Sequence, residues 1–211
     1  MPLTIDHLVY AVPDLTAAMK DIETAWGVRP VFGGQHATGT HNALLALGPT
    51  TYLEIIALDP AQHDPSHAYF GLTVPPAAPS LRTWAARTPD VQATVDQAVT
   101  AGYLPGTIRD GGRLRPDGVR ISWRNTIWTD AWPPAGDGLV PFLIEWGAAT
   151  PHPAGDAPVG CRLVSLRAEH PDPERVRVML AAVGVDLVVD FGPIPVLVAE
   201  IETPRGLVTL K

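Results

Sequence analysis

The dipeptide Pro-Asp stands between a strand-like run and a helix-like run three times, at Pro13-Asp14, Pro89-Asp90 and Pro171-Asp172. The second and third copies lie 76 and 158 residues after the first. Each junction constrains the chain twice, because it ends a strand and starts a helix. Proline withdraws a ladder donor, and the Asp carboxylate accepts from backbone N–H groups of the first helical turn. At the third junction Pro173 also occupies the first helical position, where its missing N–H costs nothing.

The flanking patterns agree. Leu3–Val12, Leu81–Thr88 and Cys161–Ala168 read as strands that run into these junctions. Leu15, Met19, Ile22 and Trp26 share one helical face, as do Val91, Val95, Ala98 and Val99, and then Val176, Met179, Leu180 and Val183. Gly27, Gly102 and Gly184 close the three helices. Strands follow at 31–32, 41–47 and 51–58, at 119–127 and 139–146, and at 186–191, 195–202 and 206–210. The order is βαβββ, repeated with low identity. The expected division is a module over 1–58, a linker over 59–79, a module over 80–147, a Pro-rich linker over 148–159 and a βαβββ-like module over 160–211. The stretches 33–40 and 106–118 read as loops, the first mobile by composition.

Charge and cysteine usage exclude several classes. Fifteen Lys and Arg against 22 Asp and Glu give a net charge of -7, so no basic patch exists to neutralise nucleic-acid phosphates. A lone Cys161 excludes an intramolecular disulfide framework and reads as a small core residue. No apolar run reaches membrane-spanning length and no leader pattern opens the chain, which points to a soluble, cytoplasmic protein without a membrane partner. No P-loop, GxGxxG, Gly-x-Ser-x-Gly or HExxH motif occurs.

The polar residues inside apolar strands carry the functional information. His7, Glu54 and Glu145 each interrupt such a run, and a buried charge needs a partner or a metal. Alternation groups His7 with Ile5 and Val9, and Glu54 with Tyr52 and Ile56. His41 and Asn42 begin a strand beside these, and Trp123 and Arg124 lie in a strand of the second module. Trp128, Trp132 and Trp146 read as packing residues. His36 reads as solvated, His63, His67 and His152 as linker residues without a functional role, and His170 as a contact at helix entry.

The stretches Ile5-Asp6-His7-Leu8-Val9-Tyr10-Ala11-Val12-Pro13-Asp14-Leu15, Asn42-Ala43-Leu44-Leu45, Thr51-Tyr52-Leu53-Glu54-Ile55-Ile56, Arg113-Leu114-Arg115-Pro116-Asp117-Gly118 and Pro141-Phe142-Leu143-Ile144-Glu145-Trp146 resemble the vicinal oxygen chelate superfamily, in its glyoxalase-like branch. The resemblance implies an α+β fold in which tandem βαβββ modules form a curved mixed sheet around a pocket, with the C-terminal βαβββ-like module as an addition. It implies that His7, Glu54 and Glu145 hold one divalent metal (Mn, Fe, Ni or Zn), with Glu54 or Glu145 as the catalytic base. Thr83 stands where a fourth ligand is expected. His41, Asn42, Trp123 and Arg124 would line the substrate pocket.

Two functions follow from the resemblance. One is a metal-dependent lyase, isomerase or dioxygenase acting on a small oxygenated substrate. The other is a metal-free protein that sequesters a small molecule, with His7 paired to Glu54 or Glu145. A third reading is a structural module whose hollow is filled. The odd third module leaves a sheet edge to be covered, either in a homodimer or by packing on the outer face of the first pair.

Overall fold

The computed structural model describes residues 3–62, 69–115, 117–128 and 132–211. His63, His67 and Pro116 lie outside the described residues. Eight strands form one sheet: β1 (Thr4–Ala11), β2 (Val31–Gln35), β3 (Thr40–Gly48), β4 (Thr51–Leu58), β5 (Ser80–Arg87), β6 (Thr107–Leu114), β7 (Arg120–Ile127) and β8 (Phe142–Trp146), in the order β2-β3-β4-β1-β5-β8-β7-β6. β1 runs parallel to β4, and β5 runs parallel to β8. β1 and β5 join antiparallel, so the two halves are related by a pseudo-twofold between them.

The Pro-Asp junctions act as the sequence indicates. Helices α1 (Leu15–Trp26), α2 (Val91–Thr100) and α3 (Pro173–Ala182) each begin after the Asp. Asp14 accepts from Ala17 N at 2.8 Å, Asp90 from Ala93 N at 3.0 Å and Asp172 from Arg175 N at 3.1 Å. Alternation along the strands gives the sheet two apolar faces. On the convex face Leu8, Leu53, Ile55, Trp84 and Leu143 pack with Ile22 and Trp26 of α1 and with Val91 and Val95 of α2. The concave face carries a smaller cluster of Val9, Ile56, Ala85, Phe142 and Ile144.

The C-terminal unit keeps the element order but not the pairing. Strands β9 (Arg162–His170), β10 (Val188–Phe191), β11 (Val196–Thr203) and β12 (Gly206–Leu210) form a second sheet in the order β10-β9-β11-β12. β9 takes as its parallel neighbour β10, the strand directly after the helix, whereas β1 takes β4, the last strand of its unit. The second sheet covers the convex face: Ala168, Leu197, Ala199 and Ile201 share one core with Leu8 and Trp84. Backbone bonds from Leu81 N to Lys211 O (2.8 Å) and from Leu3 N to Gly184 O (3.1 Å) join the units.

Two stretches expected to be loops are ordered. The run 107–114 is an edge strand, exposed along most of its length. An exposed edge needs no apolar alternation, so the sequence shows none. Gly111 is required there by packing, since a Cβ would sit 2.2 Å from Trp123 Nε1. The stretch 33–40 adds Gly33–Gln35 to β2 and then buries His36. β2 and β6 lie against each other, and an Arg113 Nη1 hydrogen bond to Gly33 O bridges them. The curved sheet therefore nearly closes on itself. Part of 148–159 also enters the hollow: Ala154 and Ala157 pack on Leu44, Ala46 and Tyr52.

Candidate functional site

The site starts from an irregularity in β1. Pairing between β1 and β5 shifts register between Ile5 and His7, so Asp6 is an extra residue in a bulge. Ile5 consequently packs with the convex core rather than beside His7. The Asp6 carboxylate, fully buried, reaches the His7 ring on the concave side. His7 Nδ1 lies 2.7 Å from Asp6 Oδ1. Asp6 Oδ2 accepts from Trp146 Nε1 and from His152 Nε2, both at 3.0 Å. Burial alone would raise the Asp6 pKa, but the hydrogen bonds and charges of His152 and His7 outweigh it and hold the carboxyl well below the usual range.

With Nδ1 committed to Asp6, His7 points Nε2 into the hollow, 3.6 Å from Glu54 Oε2. Tyr52 stacks on the same ring with centroids 4.6 Å apart. Glu54 Oε1 accepts from Asn42 Nδ2 at 2.6 Å and lies 3.8 Å from His36 Nε2. The other His36 nitrogen, Nδ1, meets Thr40 Oγ1 at 2.8 Å. Burial pushes the His36 pKa down to about 4; Glu54 opposes the shift, and Arg113, His41 and His7 add to it. A buried carboxylate thus lies between two imidazole Nε2 atoms, with a second buried carboxylate behind one of them.

Tyr69 closes the chamber over His36, with ring centroids 5.3 Å apart. Phe70, held in the left-handed region at φ 57, packs on Phe142 at 5.5 Å. The open space above Glu54 is about 40 Å³. Beyond Arg113, which lines both spaces, a second chamber of about 210 Å³ opens between Val31, Phe32, Leu44 and Ile121. The hollow thus keeps two open spaces, a small one above Glu54 and a larger one beyond Arg113.

His7, Glu54, Asn42 and Trp123 converge on the small chamber. Glu145, Arg124 and His41 do not, and the reason is strand alternation. Phe142, Ile144 and Trp146 face inward, so Glu145 faces the helices. There Glu145 Oε2 accepts from Val91 N at 2.8 Å, at the start of α2, and lies 3.6 Å from Arg124 Nη1. Arg124 also lies 3.8 Å from Asp110. His41 lines an outer groove with Asp14 and Asp59. Thr83 faces inward, but its buried Oγ1 has no partner among the described residues.

The expected metal set therefore does not fit. Its third ligand points out of the pocket, and one Glu54 oxygen is already taken by Asn42. Among the described residues no group of three His, Cys, Asp or Glu is arranged to hold a metal ion.

Four contributors escaped the sequence reading: Asp6, His36, His152 and Arg113. Asp6 escaped because strand alternation assigns a neighbour of His7 to the opposite face, and only the bulge brings both residues to one face. His152 reaches the site because its Pro-rich segment folds back into the hollow, and nothing local signals that.

No helix among the described residues is long and apolar enough to cross a membrane. A search of curated proteins yields no match. Among solved structures, a hypothetical protein from Staphylococcus aureus superposes with a TM-score of 0.72 at 10% identity, covering 99% of both chains. Methylmalonyl-CoA epimerase from Mycobacterium tuberculosis matches at 21% identity with a TM-score of 0.41, over 67% of this chain and 86% of that one. A mutant of 4-hydroxymandelate synthase from Streptomyces coelicolor matches at 17% identity with a TM-score of 0.48, over 99% of this chain and 62% of that one. The family model for the glyoxalase-like domain matches residues 5–184. With the paired modules and the concave site, that match shows that the chain belongs to the glyoxalase-like family of the vicinal oxygen chelate superfamily.

Proposed function

We propose that this protein is an isomerase or lyase acting on a small oxygenated molecule, with Glu54 and His7 moving a proton at a carbon next to an oxygen. The observation that carries this reading is the buried Glu54 carboxylate, 3.6 Å from His7 Nε2, with Asp6 behind the His7 ring. Glu54 takes the proton from carbon as general base. His7, protonated on Nε2, donates to the oxygen where negative charge develops, and Asp6 stabilises that protonated ring from Nδ1. Asn42 fixes the carboxylate through Oε1. Neutral His36 lies beside Oε1 and adds no positive charge near neutral pH. No step is routed through a metal, because the residues do not form the expected set.

The test is exchange of substrate C–H for deuterium in D2O, followed by proton NMR across a panel of α-oxygenated carbonyl compounds. Glu54→Gln is expected to lower exchange by about 10²-fold or more. Exchange that survives Glu54→Gln unchanged refutes the assignment. A second reading, a binding protein without turnover, draws support from the tightness of the chamber above Glu54, about 40 Å³. It predicts ligand-dependent thermal stabilisation with no exchange by the wild type.

A further inference from the structure

Arg113 is a third buried charge in the hollow, after Glu54 and Asp6, and no carboxylate among the described residues lies within ion-pair distance of it. The residue is 8% exposed. Its hydrogen bond goes to a neutral group, the carbonyl of Gly33. Nearby Arg115 is paired to both Asp117 (2.9 Å) and Asp156 (2.5 Å), whereas Arg113 has no carboxylate partner among the described residues. A guanidinium carries five donors, and burying it unpaired is costly unless an anion arrives. Its position is the junction of the two chambers.

A second atom at the same place is also unsatisfied. Asn42 is 3% exposed, and its Nδ2 is fixed by donation to Glu54. That leaves Oδ1 packed on the Cα of Gly33, buried and without a donor among the described residues. A Cβ on Gly33 would lie 2.4 Å from Asn42 Oδ1 and 3.2 Å from Arg113 Nη2, so glycine at this position leaves room for Asn42 to hold Glu54 and for the guanidinium beside it. The larger chamber beside Arg113, about 210 Å³, has apolar walls of Val31, Phe32, Leu44 and Ile121, with Arg115 and its partners Asp117 and Asp156 also on the lining. A cavity of roughly 150 Å³ accommodates benzene, so this one suits an aryl ring or a short branched chain.

We propose that the site binds a small carboxylate with an apolar group at C3. The carboxylate pairs with Arg113 and the apolar group fills the larger chamber. This deepens the proposed function and rests on it only for the fate of the proton at Glu54; the ligand class stands on Arg113 and the chamber.

Three probes test it: 3-phenylpropionate, 3-phenylpropionamide (no charge) and propionate (no apolar group at C3). Binding is followed by tryptophan fluorescence, since Trp123 and Trp146 line the small chamber, and by thermal shift. 3-Phenylpropionate is expected to bind about tenfold or more tightly than its amide, and about tenfold or more tightly than propionate. Arg113→Gln should bring acid and amide to equal affinity. Because Arg113 also ties β2 to β6, the wild-type comparison of acid with amide decides the matter if that variant fails to fold. Equal affinity for acid and amide in the wild type, or no binding of any probe at millimolar concentration, overturns the proposal. Glu54→Gln should keep the preference for acid. Loss of exchange without loss of that preference leaves the ligand class intact; loss of the preference with exchange intact sinks the ligand class and spares the Glu54 chemistry.

Discussion

Asp6 satisfies three donors with one buried carboxylate, from His7, His152 and Trp146. Replacing it by Asn leaves a buried set of donors facing an amide, and should cost on the order of 3 kcal/mol by urea denaturation. The same residue shapes the acid limb of stability. The unfolded chain binds a proton at this carboxyl more readily than the folded chain does, so its contribution is complete above the ordinary value near ~4 and is lost as pH falls below that. His36 acts in a higher window. Folded, it titrates at about 4 against 6.5 for the free side chain, so stability falls as pH drops from about 6.5 to 4. His36→Asn should flatten a plot of unfolding free energy against pH in that window and leave the slope below it. His7 and Glu54 were legible as polar interruptions of apolar strands. Asp6 was hidden by the bulge it creates, and His36 by a glycine-rich stretch whose composition resembles that of a mobile loop.

At the scale of elements, the Pro-Asp junctions were fully legible because capping is local: the residues that decide it are adjacent in sequence. Facing was less so. The assignment of Glu145 to the pocket fails by one residue of alternation on β8, which places Ile144 and Trp146 inside instead. Its observed role gives a prediction that separates the two readings. Glu145→Ala removes the acceptor at Val91 N and should cost about 1 kcal/mol through the start of α2, while leaving ligand binding in the concave site unchanged. Strand β6 went unread because an exposed edge carries no periodic signal. Its Gly111 faces Trp123 across the pair with β7. Gly111→Ala should displace that indole, shift the tryptophan emission and cost about 1–3 kcal/mol.

In the whole molecule, a single apolar core runs from the helices across the convex face into the second sheet. Unfolding should therefore be one cooperative transition, with equal calorimetric and van't Hoff enthalpies. A chain ending at residue 159 should expose Leu8 and Trp84 on their convex side and aggregate rather than fold as a smaller unit. The sequence showed that a third unit exists, but its strand pairing is set by contacts remote in sequence, which the order of elements does not encode. The Arg113 bridge between β6 and β2 has a consequence of a different kind. An open sheet of eight strands offers two bare margins on which a stranger's backbone could add a strand. Here those two margins face each other and are fastened by a side chain, so the large sheet recruits itself. The margins left to the surroundings belong to β10 and β12, where Phe191 and Leu207 are exposed. Any growth of this protein by strand addition has to begin on the small sheet, at the far side of the molecule from the concave site.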